Sequence, residues 1–215
     1  MVNKLGPGIA VLRILMALGL FGSVYWQVSD RLSHNVFRPS EYFTFFTITS
    51  CLISATVLLV SAISLLRKQA ETELLSIFRL TVAASMVVVA VIYNALLAGS
   101  APDVRDGNYE WPVLPNLIMH NWMPIVILIE YLLVDSAAKL PLRKAFWVLV
   151  YPITWLIFTL IRGSIQGWWP YPFLDPQYGI PNMLKWIGII SAFFIVLATG
   201  LLPLQRQIAK IYPKN

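Results

Sequence analysis

Leu114-Pro115-Asn116-Leu117-Ile118-Met119-His120-Asn121-Trp122-Met123-Pro124-Ile125-Val126-Ile127-Leu128-Ile129-Glu130-Tyr131-Leu132-Leu133-Val134 decides how the chain is read. At 1.5 Å per residue this run spans about 30 Å of hydrocarbon as a helix. A helix also satisfies its own backbone hydrogen bonds, which lipid cannot do for it. Two residues, His120 and Glu130, break the apolar pattern, and buried ionisable groups in a membrane segment are costly and carry function by default.

Five similar runs accompany it. The expected spans are about 8–28, 42–66, 77–98, 114–134, 145–161 and 183–204. The reading is an all-α, polytopic membrane protein with six transmembrane helices in one domain. Composition agrees: 58% of the 215 residues are hydrophobic and 12% charged, against about 45–50% and about 25% in soluble domains. This excludes intrinsic disorder, and with Cys51 as the lone cysteine it excludes a disulfide scaffold. The first span lacks a small-residue cleavage site and is expected to be retained.

The net charge of +6 does not point to nucleic acid, because the cations sit in short clusters between apolar runs. Lys4, Arg67, Lys68, Arg79, Lys139, Arg143, Lys144, Arg206, Lys210 and Lys214 fall on one side, and Arg31, Arg38, Arg105, Arg162 and Lys185 on the other. The positive-inside rule places both termini in the cytoplasm, in the plasma (inner) membrane. The outer loops, Ser29–Glu41, Gly99–Val113 and Arg162–Asn182, hold most of the Pro, Gly and aromatic residues. No internal repeat is visible, which argues against a transporter built from duplicated halves.

Thr47 and His120 enter their spans from the same side and reach matched depth, roughly 8–9 Å below the outer boundary. A threonine hydroxyl is unreactive until a base takes its proton, and histidine is the usual base. The bland alternative is helix packing, the common use of membrane Thr and Ser. Pro124 removes the N–H that would bond the His120 carbonyl, so a kink is expected there. Arg13, Glu130 and Arg79 share a depth at the inner end, and an Arg–Glu pair is expected, or else snorkelling arginines. The loop Gly167-Trp168-Trp169-Pro170-Tyr171-Pro172-Phe173 is either an interfacial aromatic belt or a lid over a pocket, with Trp169, Tyr171 and Phe173 against substrate. Arg162 or Lys185 would then hold a carboxylate, and Asn121 is a candidate oxyanion donor. A His-orienting carboxylate would come from Glu41, Asp103, Asp106, Glu110 or Asp175. One Cys and two His make no metal-site spacing, and no cofactor motif is present.

Three motifs occur in order: Phe46-Thr47-Ile48-Thr49-Ser50 at the start of the second span, Met119-His120 with Ile127-Leu128-Ile129-Glu130 in the fourth, and Tyr171-Pro172-Phe173-Leu174-Asp175 before the last. Together they resemble the androgen-induced family of six-span membrane proteins, nearest its bacterial branch. Its animal members include hydrolases of fatty acid esters of hydroxy fatty acids. The resemblance implies an essential Thr–His pair. The His carries over to His120. The Thr carries over to Thr47, or to Thr44 if Tyr42-Phe43-Thr44-Phe45 is the matching stretch. The chain departs from the family at Cys51, where bacterial relatives carry Asn, and at Gly163 and Ser164, where animal members carry histidines.

The expected function is an integral-membrane lipid-ester hydrolase with a Thr nucleophile and a His base. Its partners would be membrane lipids and a lipid ester. A non-enzymatic lipid-binding or scaffolding protein is the alternative, and a small transporter the third reading.

Overall fold

The computed structural model describes residues 6–99, 103–134 and 140–211. Lys4, Lys139 and Lys214, used above for topology, lie outside the described residues. Six helices are long and apolar enough to cross a membrane: α1 (Gly6–Ser33), α2 (Phe46–Leu66), α3 (Glu73–Leu97), α4 (Val113–Leu133), α5 (Leu142–Gln166) and α6 (Ile180–Ile211). Among the described residues there is no strand. Six crossings return the chain to the face it left, so the ends of α1 and α6 share a side. The α1–α2, α3–α4 and α5–α6 loops share the other, called here the loop side.

Several boundaries differ from expectation for local reasons. α1 and α6 run longer, because helices continue past the apolar window when a polar turn costs nothing. α2 begins at Phe46 rather than Tyr42. Pro39–Tyr42 forms a separate helical turn whose proline sets its first position. α3 begins at Glu73 because Thr72 caps it, its hydroxyl accepting the Leu75 N–H at 3.2 Å. α5 continues through Arg162 to Gln166 and stops at Gly167, which takes a left-handed φ of 65° and gives its N–H to the Gly163 carbonyl at 2.8 Å. Arg162, read as the start of a loop, is therefore a buried helical residue.

α3 is the centre. It packs against α2, α4, α6 and the first turns of α5, while α1 lies along α2. Small residues make this closeness available: Ala83, Ala84 and Ser85 on α3 and Ala10, Ala17, Ala55 and Ala62 on α1 and α2 are fully or almost fully buried. Large apolar side chains face outward instead, among them Leu15, Val60, Ile129, Ile157 and Val196. That inversion suits a lipid solvent.

One ionic cluster crosses the core away from the loop side. Glu130 on α4 accepts from Arg13 on α1 through Nε at 2.8 Å and Nη2 at 2.6 Å. Arg79 on α3 reaches the same carboxylate at 3.2 Å and Glu71 at 2.9 Å. Arg13 Nη1 donates to Ser61 on α2 at 2.6 Å. The expected Arg–Glu pair is present, and neither arginine snorkels to the surface. Gln205 on α6 adds a bond to the Tyr131 carbonyl at 2.6 Å.

Glu130→Gln leaves two buried guanidiniums short of a counter-charge. It should cost about 3–5 kcal/mol of stability, read as a lowered unfolding midpoint in detergent. The double variant Arg13→Met, Glu130→Met should recover part of that loss, because Arg79 keeps Glu71. A double variant no more stable than the single one would show that the cluster is not coupled.

Candidate functional site

Two cavities meet near the loop-side end of α2. The larger, about 740 Å³, is a polar vestibule walled by both sequence candidates, Thr47 and His120, and by Trp169 and Tyr171. The smaller, about 180 Å³, is apolar and lies among α2, α3, α5 and α6, with Phe173, Val88, Leu156 and Phe194 on its wall. Thr47, Tyr93, Leu97 and Tyr171 line both. Thr47 thus stands where a greasy space and a polar one join.

The helix start explains the placement of Thr47. Helix N-termini leave their first N–H groups without intrahelical partners, and Phe45 at the cap of α2 offers no side-chain acceptor. The Phe46 N–H instead donates to the Tyr171 phenol oxygen at 3.0 Å. This bond fastens the α5–α6 loop over the end of α2. Burial pushes the Tyr171 phenol up to about 12, against the opposing pull of donors on Thr47 and Phe46. At neutral pH the phenol keeps its proton and can donate it.

His120 sits in a π-helical turn, Ile118–Trp122, in which the Met123 N–H reaches back to the Ile118 carbonyl. The kink expected from Pro124 takes this form: the proline supplies no N–H, and the helix widens rather than breaks. The His120 ring stacks on Tyr93, centroids 3.8 Å apart and planes 22° from parallel. Tyr93 opens a second π-turn, Tyr93–Leu97 in α3, and its hydroxyl accepts from the Asn116 side chain at 2.6 Å. His120 Nδ1 lies 3.0 Å from the Asn116 carbonyl. A carbonyl only accepts, so Nδ1 carries the proton, and in the neutral ring Nε2 holds the free lone pair. The orienting group is a backbone carbonyl, not one of the five loop carboxylates expected for it.

The remaining candidates separate. Thr44 lies before α2, not a turn along it. Its hydroxyl donates to the Ser40 carbonyl at 2.7 Å, its carbonyl accepts from Trp155 at 2.9 Å, and it is missing from both cavity walls. Thr49 and Ser50 both meet the Tyr151 hydroxyl at 2.9 Å, a helix–helix tie. Asn121 points away toward Asn94, whose amide donates to it at 2.8 Å. Arg162 lies over the Trp168 ring at 5.0 Å and Lys185 near Trp186 at 5.7 Å, and neither is among the described residues that wall a cavity. Among the described residues no group of His, Cys, Asp and Glu could hold a metal ion.

The sequence reading missed Tyr93, Asn116 and Arg31. Asn116 lies four residues before His120, a spacing that brings side chains together on a helix. Tyr93 and Arg31 left no comparable local signal.

The vestibule is roofed by an ionic network on the loop side. Arg31 meets Asp106 at 2.9 Å, and Arg38 also pairs with Asp106. Arg105 bridges Glu41 at 2.8 Å and Asp103. Hydrogen bonding to Arg105 holds the Asp103 carboxyl down at about 2. Burial works to raise Glu41, but its bonds to Arg105 and Arg38 outweigh it and lower the group. Comparison with family models, curated proteins and solved structures finds no significant match.

Two outcomes follow from this geometry. An ideal Cβ on Gly163 would sit 2.5 Å from the rigid Trp169 ring. Gly163→Ala should therefore push Trp169 from the vestibule wall, shift tryptophan emission and cost about 1–3 kcal/mol. Both lowered carboxylates stabilise the folded state above their ordinary range near pH 4, and this contribution drains away as pH falls toward about 2 for Asp103. The unfolding midpoint should stay level from neutral pH to about pH 5 and fall below that. Arg105→Gln should flatten the acid limb, and an unchanged limb would remove these carboxylates as its cause.

Proposed function

We propose that this chain is an integral-membrane lipid-ester hydrolase in which Thr47 is the nucleophile and His120 the base. One observation carries the reading: Thr47 and His120 wall the same vestibule, Thr47 also lines the adjoining apolar cavity, and His120 has its Nδ1 proton spoken for. An acyl chain suits the apolar side and the polar remainder of an ester the vestibule. His120 Nε2 takes the hydroxyl proton as Thr47 Oγ attacks the ester carbonyl. The same proton goes to the leaving alkoxide as the C–O bond breaks. Water, deprotonated by His120, then cleaves the threonyl ester, and the proton returns to Thr47. Tyr171, which lines both cavities with Thr47, takes the oxyanion role in place of Asn121, since its phenol is a neutral donor. The resemblance to the androgen-induced family adds a substrate class, fatty acid esters of hydroxy fatty acids.

The cytoplasmic placement of both termini in an inner membrane is part of this proposal. Arg31, Arg38 and Arg105 on the loop side are each bound to carboxylates, whereas Arg67 and Lys68 on the opposite side are exposed. On that opposite side Arg79 and Lys144 are also bound to carboxylates, so the proposed orientation rests on the residue count.

Purified protein in nanodiscs is assayed on a medium-chain fluorogenic ester and on a branched fatty acid ester. His120→Ala and Thr47→Ala should each lower turnover by about 10²–10⁴-fold with the fold retained, and Thr44→Ala should stay near wild type. Turnover that survives both changes sinks the mechanism. A folded wild type without turnover moves the chain to the lipid-binding reading.

A further inference from the structure

The vestibule contains a buried cation with unspent donors. Arg31 is 4% exposed, and both Nη2 hydrogens are used, on the Val36 carbonyl at 2.8 Å and Asp106 at 2.9 Å. Its Nε and Nη1 have no hydrogen-bond partner. The guanidinium cannot swing to find one. It lies over the Trp111 ring at 4.3 Å and the Tyr109 ring at 5.1 Å, and Tyr109 is itself held by Asp30 at 2.7 Å. Buried N–H groups are almost always paired, and here the unpaired ones belong to a residue on the vestibule wall.

We propose that Arg31 is the headgroup subsite of this cavity pair and takes an oxyanion, the carboxylate or phosphate of a single-chain amphiphile. The chain of that amphiphile lies in the apolar cavity, and its middle passes Thr47. This deepens the hydrolase reading by assigning which end of the substrate faces the loop side, yet binding at Arg31 needs no catalysis.

Of the five carboxylates on the same wall, three are paired with guanidinium groups. Asp106 is met by two guanidiniums, and Glu41 and Asp103 by Arg105. Asp175 accepts from the Gln177 N–H at 2.9 Å and the Gln177 side chain at 2.6 Å. Glu110 is exposed to solvent. Asp175 and Glu110 have no guanidinium partner among the described residues, so Arg31 with its two unpaired donors is the group on this wall that an oxyanion meets first. Because both Nη2 hydrogens are occupied and the Nε and Nη1 hydrogens point apart, the ligand takes a single charge-assisted bond from one of them rather than the parallel pair usual for arginine. The two sequence candidates for this task, Arg162 and Lys185, lie outside both cavity walls.

The test is a titration of the protein in nanodiscs with dodecanoate, dodecyl phosphate and the neutral control dodecanol, at equal mole fraction in the bilayer. The readout is the emission of Trp111, Trp168 and Trp169 on the vestibule wall. At least one anion should bind at least about tenfold tighter than dodecanol, and the tighter of the two names the headgroup. The preference should persist in Thr44→Ala, outside both cavity walls, and vanish in Arg31→Gln. Equal binding of all three probes to the wild type overturns the subsite, and that arm needs no variant to fold. A preference that survives in folded Arg31→Gln overturns it as well. Anion preference without ester turnover would remove the hydrolase reading and keep the subsite. Turnover without anion preference would do the reverse.

Discussion

The fold rests on one carboxylate. Glu130 answers Arg13 and Arg79 at once, and through them joins α4 to α1 and α3. Ser61 brings in α2. In lipid there is no hydrophobic force between helices, so packing and polar ties must hold them together. A cation on α1 has no reason to be buried unless α4 arrives with its partner. The cluster therefore sets the register of four helices, and each group within it is matched. Closure of this kind marks a structural network.

The loop side is built by the same rule but is left incomplete. Arg38, Arg105, Glu41, Asp103 and Asp106 satisfy one another across the α1–α2 and α3–α4 loops. Beneath them, Arg31 keeps two donors without a partner among the described residues, and His120 bonds through Nδ1. Both residues line one vestibule. A folded chain rarely leaves buried polar groups unfinished without a use for them. The contrast between the closed cluster and the open one distinguishes the two ends of the bundle more sharply than residue type does. Arginine and carboxylate occur in both.

Six spans were legible because hydropathy and the absence of water leave the backbone little choice. The Arg13–Glu130 pairing was legible for a related reason, since two opposite charges at one depth must meet or pay separately. That Thr47 and His120 line one cavity was likewise legible from depth. What depth cannot convey is rotation about the helix axis. Asn121 and His120 are neighbours in sequence, yet Asn121 turns toward Asn94 while His120 turns toward Tyr93. Arg162 failed for a different reason. Its helix runs further than the apolar window, which carried it out of the loop and onto Trp168. Arg31 was counted only as a topology charge, because its two aromatic neighbours come from a distant loop.

Both π-turns lie at the site, and their pairing has a mechanical reason. A π-turn adds a residue to one coil of the helix and shifts the side chains that follow around the axis. In α4 Pro124 favours such a widening, since it has no N–H to close the normal turn over His120. Two regular helices rarely bring two rings into flat contact. With a widened turn on each side, His120 and Tyr93 stack at 3.8 Å, and Asn116 bonds one through its carbonyl and the other through its amide. The imidazole is thereby held on one face by a ring and on one nitrogen by a carbonyl. Straightening α4 by replacing Pro124 would relax the turn while keeping every named side chain. The position of His120, and not its chemistry, would then change.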